Sequence, residues 1–177
     1  MSKQIDEKVV YEGKRFNVVQ KKYITDNGLE YIRDIVNPGD ASVVLPVTDN
    51  NEIIFIKQLR ESIGKIAFEL PAGIIDEGEE PIDAARRELE EETGLIANEM
   101  IPLISVYPSI GYTTEKLHIF VAKGFTKGKV SLDEDEEILS LEKVPIEKCF
   151  EMAKNNELEL ASQNIAILMY YFKYYNK

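Results

Sequence analysis

The chain is poor in the features on which secreted, membrane-spanning and disulfide-stabilised proteins depend. Cys149 is the only cysteine among 177 residues, so no internal disulfide can form and we expect a reducing, cytoplasmic environment. No apolar run approaches the roughly 20 residues that span a bilayer, and the polar residues 1–7 do not resemble a signal peptide. These absences predict a cytoplasmic protein without a membrane partner.

Positive charge is also scarce, with 21 lysines and arginines against 32 aspartates and glutamates and a formal net charge of −11. Because binding to a nucleic-acid backbone needs many cationic side chains, we do not expect a nucleic-acid partner. A small phosphorylated substrate is compatible with this charge if carboxylates bind Mg²⁺ or Mn²⁺ and the metal binds the phosphates. An acidic enzyme acting on a phosphoanhydride is therefore expected to need a divalent metal.

The chain length suits one domain, and the order of its predicted strands and helices favours the α+β class with a mixed sheet. A turn signal at 26–28 separates two stretches rich in Val, Tyr and Ile, which predicts an N-terminal β-hairpin within residues 1–40. Residues 41–177 form the main domain in this interpretation. Strands are predicted at 16–25, 29–36, 41–48, 53–59, 66–70, 102–107, 116–122 and 138–144, and helices at 81–93, 145–156 and 160–175.

The first predicted helix carries a group of like charges on one face. Glu88, Glu91 and Glu92 stand at positions i, i+3 and i+4, so their carboxylates project to the same side. A hard cation with oxygen ligands would offset their repulsion. Glu90 points away from this face and is expected to be solvated. On the three glutamates alone, a solvated acidic helix with Arg86 and Arg87 as surface ion-pair partners is the favoured interpretation.

The wider segment resembles the Nudix box, Gly-x5-Glu-x7-Arg-Glu-U-x-Glu-Glu-x-Gly-U, in which U is a bulky aliphatic residue. Gly73 is followed at the required spacing by Glu79 and then by the run 87–95, which reads Arg-Glu-Leu-Glu-Glu-Glu-Thr-Gly-Leu. Every fixed position of the pattern is matched. The resemblance implies a Nudix fold, a mixed sheet sandwiched between helices, in which the box forms a loop–helix–loop metal site.

The same resemblance implies roles for individual residues. Arg87 and Glu79 are expected to orient the loop and the glutamates rather than to touch the substrate, as groups behind the metal ligands do. The expected ligands of Mg²⁺, with Mn²⁺ as the alternative, are the backbone carbonyl of Ala72 and the side chains of Glu88, Glu91 and Glu92.

An acidic stretch at 133–137 is usually just a solvated loop. In the enzymes that the chain resembles, a loop glutamate near this point assists the attacking water as general base. Glu136 aligns best, with Glu134 or Glu137 as alternatives. Glu136 therefore completes the group of residues expected to support catalysis, together with Glu92 and Arg87.

Outside the box, the order of motifs resembles the ADP-ribose pyrophosphatase branch of the family over most of the chain. In that branch an arginine at the position of Arg60 contacts the substrate's phosphates. An arginine at the position of Arg33 comes from the partner subunit, because the N-terminal strands are exchanged across a homodimer. Taken alone, both arginines would be interpreted as surface residues. Phe16, in the N-terminal hairpin region, is a candidate for stacking on adenine.

One loop departs from the pattern of that branch, which commonly shows Ser-Pro-Gly about fifteen residues after the box. Ser109 and Gly111 match and are expected to meet the terminal ribose, but Ile110 occupies the proline position. Because proline fixes φ, its loss alters the loop and weakens the assignment of the substrate without affecting the metal chemistry.

The leading hypothesis is Mg²⁺-dependent hydrolysis of ADP-ribose to AMP and ribose 5-phosphate. The nearest alternative is an enzyme of the same fold that acts on another nucleotide sugar or a noncanonical nucleoside triphosphate. A further alternative is a Nudix module that senses a ligand, regulates a partner and catalyses nothing. Cys149, on a predicted amphipathic helix, is interpreted as a packing residue without chemistry.

Overall fold

The computed structural model describes residues 1–132 and 137–176, and the chain divides into two compact units. The first unit comprises Met1–Asp40 and Tyr107–Lys116, and the second comprises Ala41–Val106 and Leu117–Lys177. The membership of residues 107–116 in the first unit was not anticipated from the sequence, because contacts between distant segments leave no local pattern.

The first unit contains a three-stranded antiparallel sheet in the order β1–β2–β3, with β1 at Ser2–Glu12, β2 at Asn17–Thr25 and β3 at Glu30–Asn37. The predicted hairpin is confirmed: β2 and β3 pair around Gly28, whose φ of 84° is the left-handed conformation that favours glycine. β1 was not predicted, because all of its residues are exposed and the strand therefore has no burial pattern.

The second unit contains the remaining strands and the helices of the described residues. No helix in the described parts of the chain is long and apolar enough to cross a bilayer. The strands are β4 (Ala41–Pro46), β5 (Glu52–Arg60), β6 (Lys65–Glu69), β7 (Ala72–Ile74), β8 (Leu95–Val106), β9 (Leu117–Lys127) and β10 (Ile138–Pro145). The helices are α1 (Pro81–Thr93), α2 (Ile146–Lys154) and α3 (Ala161–Tyr170), and a π-helical turn at Tyr171–Tyr175 continues α3.

The strands of the second unit form a mixed sheet, β7–β4–β9–β8, and an antiparallel sheet, β10–β5–β6. Only β4 and β9 run parallel in the described residues, and successive residues of these two strands face opposite cores. Leu45 and Val121 pack in the core that includes residues of α2 and α3, whereas Val44 and Phe120 pack against Leu89 of α1. The predicted α+β fold with helices on both sides of a mixed sheet is confirmed.

Two differences from the predicted elements have local causes. β8 begins at Leu95 rather than at 102, because the exposed Asn98 and Glu99 interrupt its apolar pattern. β7 was not among the predicted strands, since a strand of three residues is too short to show alternation. By contrast, α1 has the predicted bounds.

The ends of α1 and its buried face hold the acidic face of the helix in place. The helix begins with Pro81, which lacks the N–H that a first helical turn leaves unbonded, and it ends before Gly94, whose φ is 68°. Ser42, fully buried on β4, donates from Oγ to the carbonyl of Pro81 at 2.6 Å. Ala85 and Leu89 are also fully buried. The opposite face is left to the charged side chains.

Cys149 is fully buried in α2, and its Sγ lies 3.5 Å from the carbonyl oxygen of Val144. Burial raises the pKa of the thiol to about 12, so almost none of it is thiolate at neutral pH. We therefore expect a thiol reagent such as iodoacetamide to leave the native protein unmodified at pH 8 and to modify one site once urea unfolds it. Mass spectrometry measures both states, and fast labelling of the folded protein would contradict the packing role.

Candidate active site

Arg87 holds together the loop that leads into α1. Its Nε and Nη2 atoms donate to the two carboxylate oxygens of Glu79 at 3.0 and 2.9 Å, and Nη2 also donates to the carbonyl of Ile74 at 2.9 Å. Glu79 in turn accepts the backbone N–H of Asp76 at 3.0 Å. The hydrogen bonds from Arg87 hold the pKa of Glu79 below its usual value. These contacts attach the loop to α1, and the orienting role of Arg87 and Glu79 stays a prediction.

The carboxylate of Glu88 lies directly against the backbone of Gly73. A β-carbon added at Gly73 would overlap the carboxyl carbon and both carboxylate oxygens of Glu88. Glu88 is buried, with 8% of its surface exposed, and Nη1 of Arg87 lies 2.5 Å from one of its oxygens. The first glycine of the box is therefore required for close approach of a carboxylate.

Glu92 meets the same stretch of backbone from the next turn of α1. It is 4% exposed, and its carboxylate accepts the N–H of Ala72 at 3.0 Å. Pairing of β7 with β4 places Ala72 opposite Val43 and so fixes the position of this backbone in the sheet. The Ala72–Gly73 backbone thus contacts two buried carboxylates that are one helical turn apart.

The donors assembled at this point suit a hard divalent cation. Two buried carboxylates lie against the Ala72–Gly73 backbone, and they supply the oxygen donors that Mg²⁺ and Mn²⁺ prefer. Glu91 is more exposed, and its carboxylate lies 3.1 Å from Nη1 of Arg87. Within residues 1–132 and 137–176, no three Asp, Glu, His or Cys side chains form a group that could hold a metal ion. Instead, Nη1 of Arg87 supplies the positive charge between the carboxylates of Glu88 and Glu91. The fit to a divalent metal therefore rests on the type of donor, carboxylate oxygen, rather than on a preformed group of three ligands.

Arg60, at the end of β5, is held by a buried carboxylate that sequence analysis missed. Its Nε and Nη2 atoms donate to the two oxygens of Glu69 at 2.7 and 2.6 Å. Glu69 is 2% exposed and precedes Ala72 by three residues. The available signal was a glutamate between the apolar residues Phe68 and Leu70 at the end of a strand, since a charge at a buried position needs a partner.

Two of the predicted substrate residues lie on the sheet of the first unit or beside it. Arg33, on β3, is exposed, and its guanidinium carbon lies 4.6 Å from the centre of the Tyr31 ring. Phe16 directly precedes β2, is 43% exposed, and packs against Tyr11 with ring centres 5.9 Å apart. Of the predicted substrate residues, the structure places only Arg60 in the unit that contains α1.

The predicted ribose loop also belongs to the first unit. Ser109 is half-buried, Gly111 is exposed and Ile110 is 83% exposed. The loop joins β3 through backbone hydrogen bonds in which Val36 donates to the carbonyl of Tyr112 and accepts from Thr114. Ser109 and Gly111 are thus tied to the strands that carry Arg33.

The predicted general base, Glu136, and its alternative Glu134 lie outside the described residues. The other alternative, Glu137, is exposed. The expectation that Glu90 is simply solvated needs correction, because Glu90 is half-buried and its carboxylate accepts the N–H of Lys129 at 3.3 Å. Together with the hydrogen bond from the N–H of Ser131 to the carbonyl of Glu91, this contact attaches residues 128–131 to the end of α1.

The lowered pKa of Glu79 predicts a change of stability with pH. A glutamate whose pKa is lowered by folding stabilises the protein above its unfolded pKa of about 4.3, and this contribution is lost as the pH falls through the folded value. We therefore expect Glu79→Gln to be less stable than wild type at pH 7, with the difference shrinking as the pH falls below about 4. Urea unfolding across this range measures the difference.

Glu77 provides the matched control, because it is an exposed glutamate of the same loop. Glu77→Gln is expected to stay within about 0.5 kcal/mol of wild type at each pH. An equal pH dependence in Glu79→Gln and wild type would contradict the pairing with Arg87.

Comparisons with known proteins agree with this geometry. A NUDIX domain family model matches residues 38–163. The chain is 35% identical to an ADP-ribose pyrophosphatase of Bacillus subtilis (strain 168) over 93% of this chain and 90% of that protein. It is 34% identical to the methanol dehydrogenase activator of Bacillus methanolicus over 94% of each protein. The solved structure of an ADP compounds hydrolase matches with a TM-score of 0.84, over 95% of this chain and 91% of that one; at 22% identity this shows a shared fold. The predicted resemblance is confirmed, and the chain belongs to the Nudix family of hydrolases.

Proposed function

We propose that the protein hydrolyses the diphosphate of ADP-ribose to AMP and ribose 5-phosphate with the help of a divalent metal. The observation that carries the proposal is the pair of buried carboxylates, Glu88 and Glu92, against the Ala72–Gly73 backbone. Mg²⁺ is the expected metal, with Mn²⁺ as the alternative. The 35% identity to an ADP-ribose pyrophosphatase over nearly the whole chain supports the choice of substrate.

The chemistry of the proposed reaction divides among a few groups. A divalent metal polarises a diphosphate and lowers the pKa of the attacking water. Arg60 contacts the diphosphate and offsets its negative charge, both in the bound substrate and as the P–O bond breaks. Glu136 accepts the proton that the water loses, and the water's oxygen remains on one of the two product phosphates. The residues that would hold the metal are the Ala72 carbonyl, Glu88, Glu91 and Glu92, of which Glu88 and Glu91 are oriented by Arg87.

The proposal includes a homodimer in the cytoplasm with a small nucleotide as its ligand. β1 presents apolar side chains to solvent, including Val9 at 57% and Tyr11 at 54% exposure, and exposed apolar groups of this kind mark interaction surfaces. In the dimer, Arg33 contacts the phosphates in the site of the second copy, Phe16 stacks on adenine, and Ser109 and Gly111 meet the terminal ribose. A monomer in sedimentation experiments would remove the role assigned to Arg33.

A substrate panel tests the reaction. Purified protein is incubated with ADP-ribose, other nucleotide sugars and nucleoside triphosphates, with Mg²⁺, with Mn²⁺ and with EDTA. We expect kcat/KM for ADP-ribose to exceed that for the other compounds by about 10-fold or more, and chelation to abolish turnover until metal is restored. A large preference for a triphosphate would overturn the substrate, and full turnover in EDTA would overturn the metal dependence. Because Ile110 replaces the proline of the ADP-ribose branch, preferred hydrolysis of another nucleotide sugar is the nearest alternative outcome.

A second candidate function follows from the similarity to the methanol dehydrogenase activator, which covers 94% of both chains. In this alternative the protein stimulates an alcohol dehydrogenase. The test measures methanol oxidation by a purified methanol dehydrogenase with and without this protein. Stimulation by wild type but not by Glu92→Gln would show that activation of the dehydrogenase depends on the same metal site as hydrolysis. Equal stimulation by both proteins would indicate a regulatory module that needs no turnover.

A further inference from the structure

We propose that Glu69 is a positioning residue that holds the guanidinium of Arg60 in the orientation needed to bind a nucleoside diphosphate. This inference rests on the proposed function, in which Arg60 contacts the diphosphate. It assigns a role to a buried carboxylate that lies outside the Nudix box and that the motif therefore does not cover.

The register of β5 and β6 brings the two side chains to one face of their sheet. Arg60 pairs with Lys65, Gln58 with Ala67, and Ile56 with Glu69. Side chains of every second pair share a face, so Arg60 and Glu69 lie on the same face with only the Gln58–Ala67 pair between them. The small side chain of Ala67 lies between them, which leaves room for the guanidinium to extend along the face to the carboxylate.

The geometry of the pair restricts how Arg60 can turn. Two parallel N–H···O bonds, at 2.7 and 2.6 Å, fix the plane of the guanidinium as well as its position. The Nε2 atom of Gln58 lies 3.5 Å from an oxygen of Glu69, so the carboxylate itself has a neighbour that limits its rotation. A single hydrogen bond would leave the guanidinium free to swing about its long side chain.

The exposure of the two partners differs in the way a positioned binding group requires. The side chain of Glu69 is 3% exposed, whereas that of Arg60 is 38% exposed. The carboxylate is thus the buried partner, and the arginine side chain keeps part of its surface accessible to solvent.

The backbone connects this pair to the candidate metal site. Glu69 ends β6, and Ala72, whose N–H is bound by Glu92, begins β7 only three residues later. Three residues of extended chain span at most about 10 Å, which long side chains and a diphosphate together can bridge. Glu69 therefore ties the orientation of Arg60 to the same short segment that contacts the two buried carboxylates of α1.

The test compares Glu69→Gln with wild type. Glutamine keeps one oxygen acceptor but turns an amide donor toward the donors of Arg60, so the paired geometry is lost. We expect KM for the diphosphate substrate to rise by about 10-fold, with kcat changing by less than about 3-fold. Glu69→Asp, which withdraws the carboxylate by one methylene, provides a second variant with an intermediate rise in KM. Glu142→Gln is the control, because it breaks the Lys57–Glu142 ion pair on the neighbouring strands of the same sheet.

A double-mutant cycle separates positioning from a structural role. Arg60→Ala is expected to raise KM at least as much as Glu69→Gln, and Glu69→Gln is expected to have little further effect once Arg60 is alanine. A spectroscopic readout accompanies the kinetics: the Arg60 Nε–H resonance should be protected from solvent exchange in wild type and lose that protection in Glu69→Gln. An unchanged KM in Glu69→Gln, or an equal rise of KM in the alanine background, would overturn the proposal.

Failure of this inference can be told apart from failure of the proposed function. If the protein hydrolyses a different nucleoside diphosphate, the cycle is measured with that compound and still decides the role of Glu69. If Arg60→Ala leaves KM unchanged for every diphosphate that wild type hydrolyses, both the phosphate contact and its positioning by Glu69 are overturned. If Arg60→Ala raises KM and Glu69→Gln does not, the phosphate contact stands and the positioning is overturned.

Discussion

Replacing Glu92 with glutamine is expected to lower kcat by about 100-fold or more while the protein remains folded. Glu92 is 4% exposed and accepts the N–H of Ala72 at 3.0 Å. Glutamine keeps the shape of the side chain and an oxygen for that hydrogen bond, but it removes the negative charge that a divalent metal needs. Steady-state kinetics at saturating Mg²⁺ and thermal unfolding measure the two effects.

Glu90→Gln is the matched control, because it removes the same charge from the same helix. Glu90 binds the N–H of Lys129, which glutamine can still accept, so we expect kcat to stay within about 2-fold of wild type. Wild-type turnover in Glu92→Gln would refute its metal role. Equal losses in both variants would attribute the effect to the charge of the helix rather than to the site.

Replacing Gly73 with alanine is also expected to lower kcat by about 100-fold. This substitution would displace the carboxylate of Glu88, an expected metal ligand, rather than remove it. The added methyl group would overlap the carboxylate of Glu88, which is buried and belongs to α1, so it cannot easily withdraw. Either the carboxylate or the loop must move, and overpacking of this kind costs about 1–3 kcal/mol. Kinetics and urea unfolding of Gly73→Ala measure both consequences.

The Glu88→Ala background shows whether the overlap is the cause. With Glu88 shortened, the methyl group at position 73 has room, so we expect Gly73→Ala to cost little further stability there. An equal stability loss in both backgrounds would point to the backbone of the loop instead. Full activity of Gly73→Ala in the presence of Glu88 would contradict the placement of this carboxylate in the site.

The helix α1 is the part of the site that could be predicted from the sequence. Its bounds were predicted correctly from Pro81, Gly94 and the apolar spacing, because all of these signals lie within the helix. The same local information placed Glu88 and Glu92 on one face. The role of Glu69 was missed. Its burial could be inferred from its apolar neighbours Phe68 and Leu70, but its partner Arg60 follows only from the register of β5 with β6. The strand β1 was missed for the related reason that only its pairing with β2 defines it.

The sequence by itself determined the helix and its aligned glutamates, because helical geometry converts spacing along the chain into position on a face. Only the tertiary structure decided which partner each charge meets. Glu92 meets the N–H of Ala72 and Arg60 meets Glu69 because sheet register and the packing of α1 bring separate segments together. Such contacts join residues distant in the chain, so their energies depend on the whole fold rather than on any local pattern.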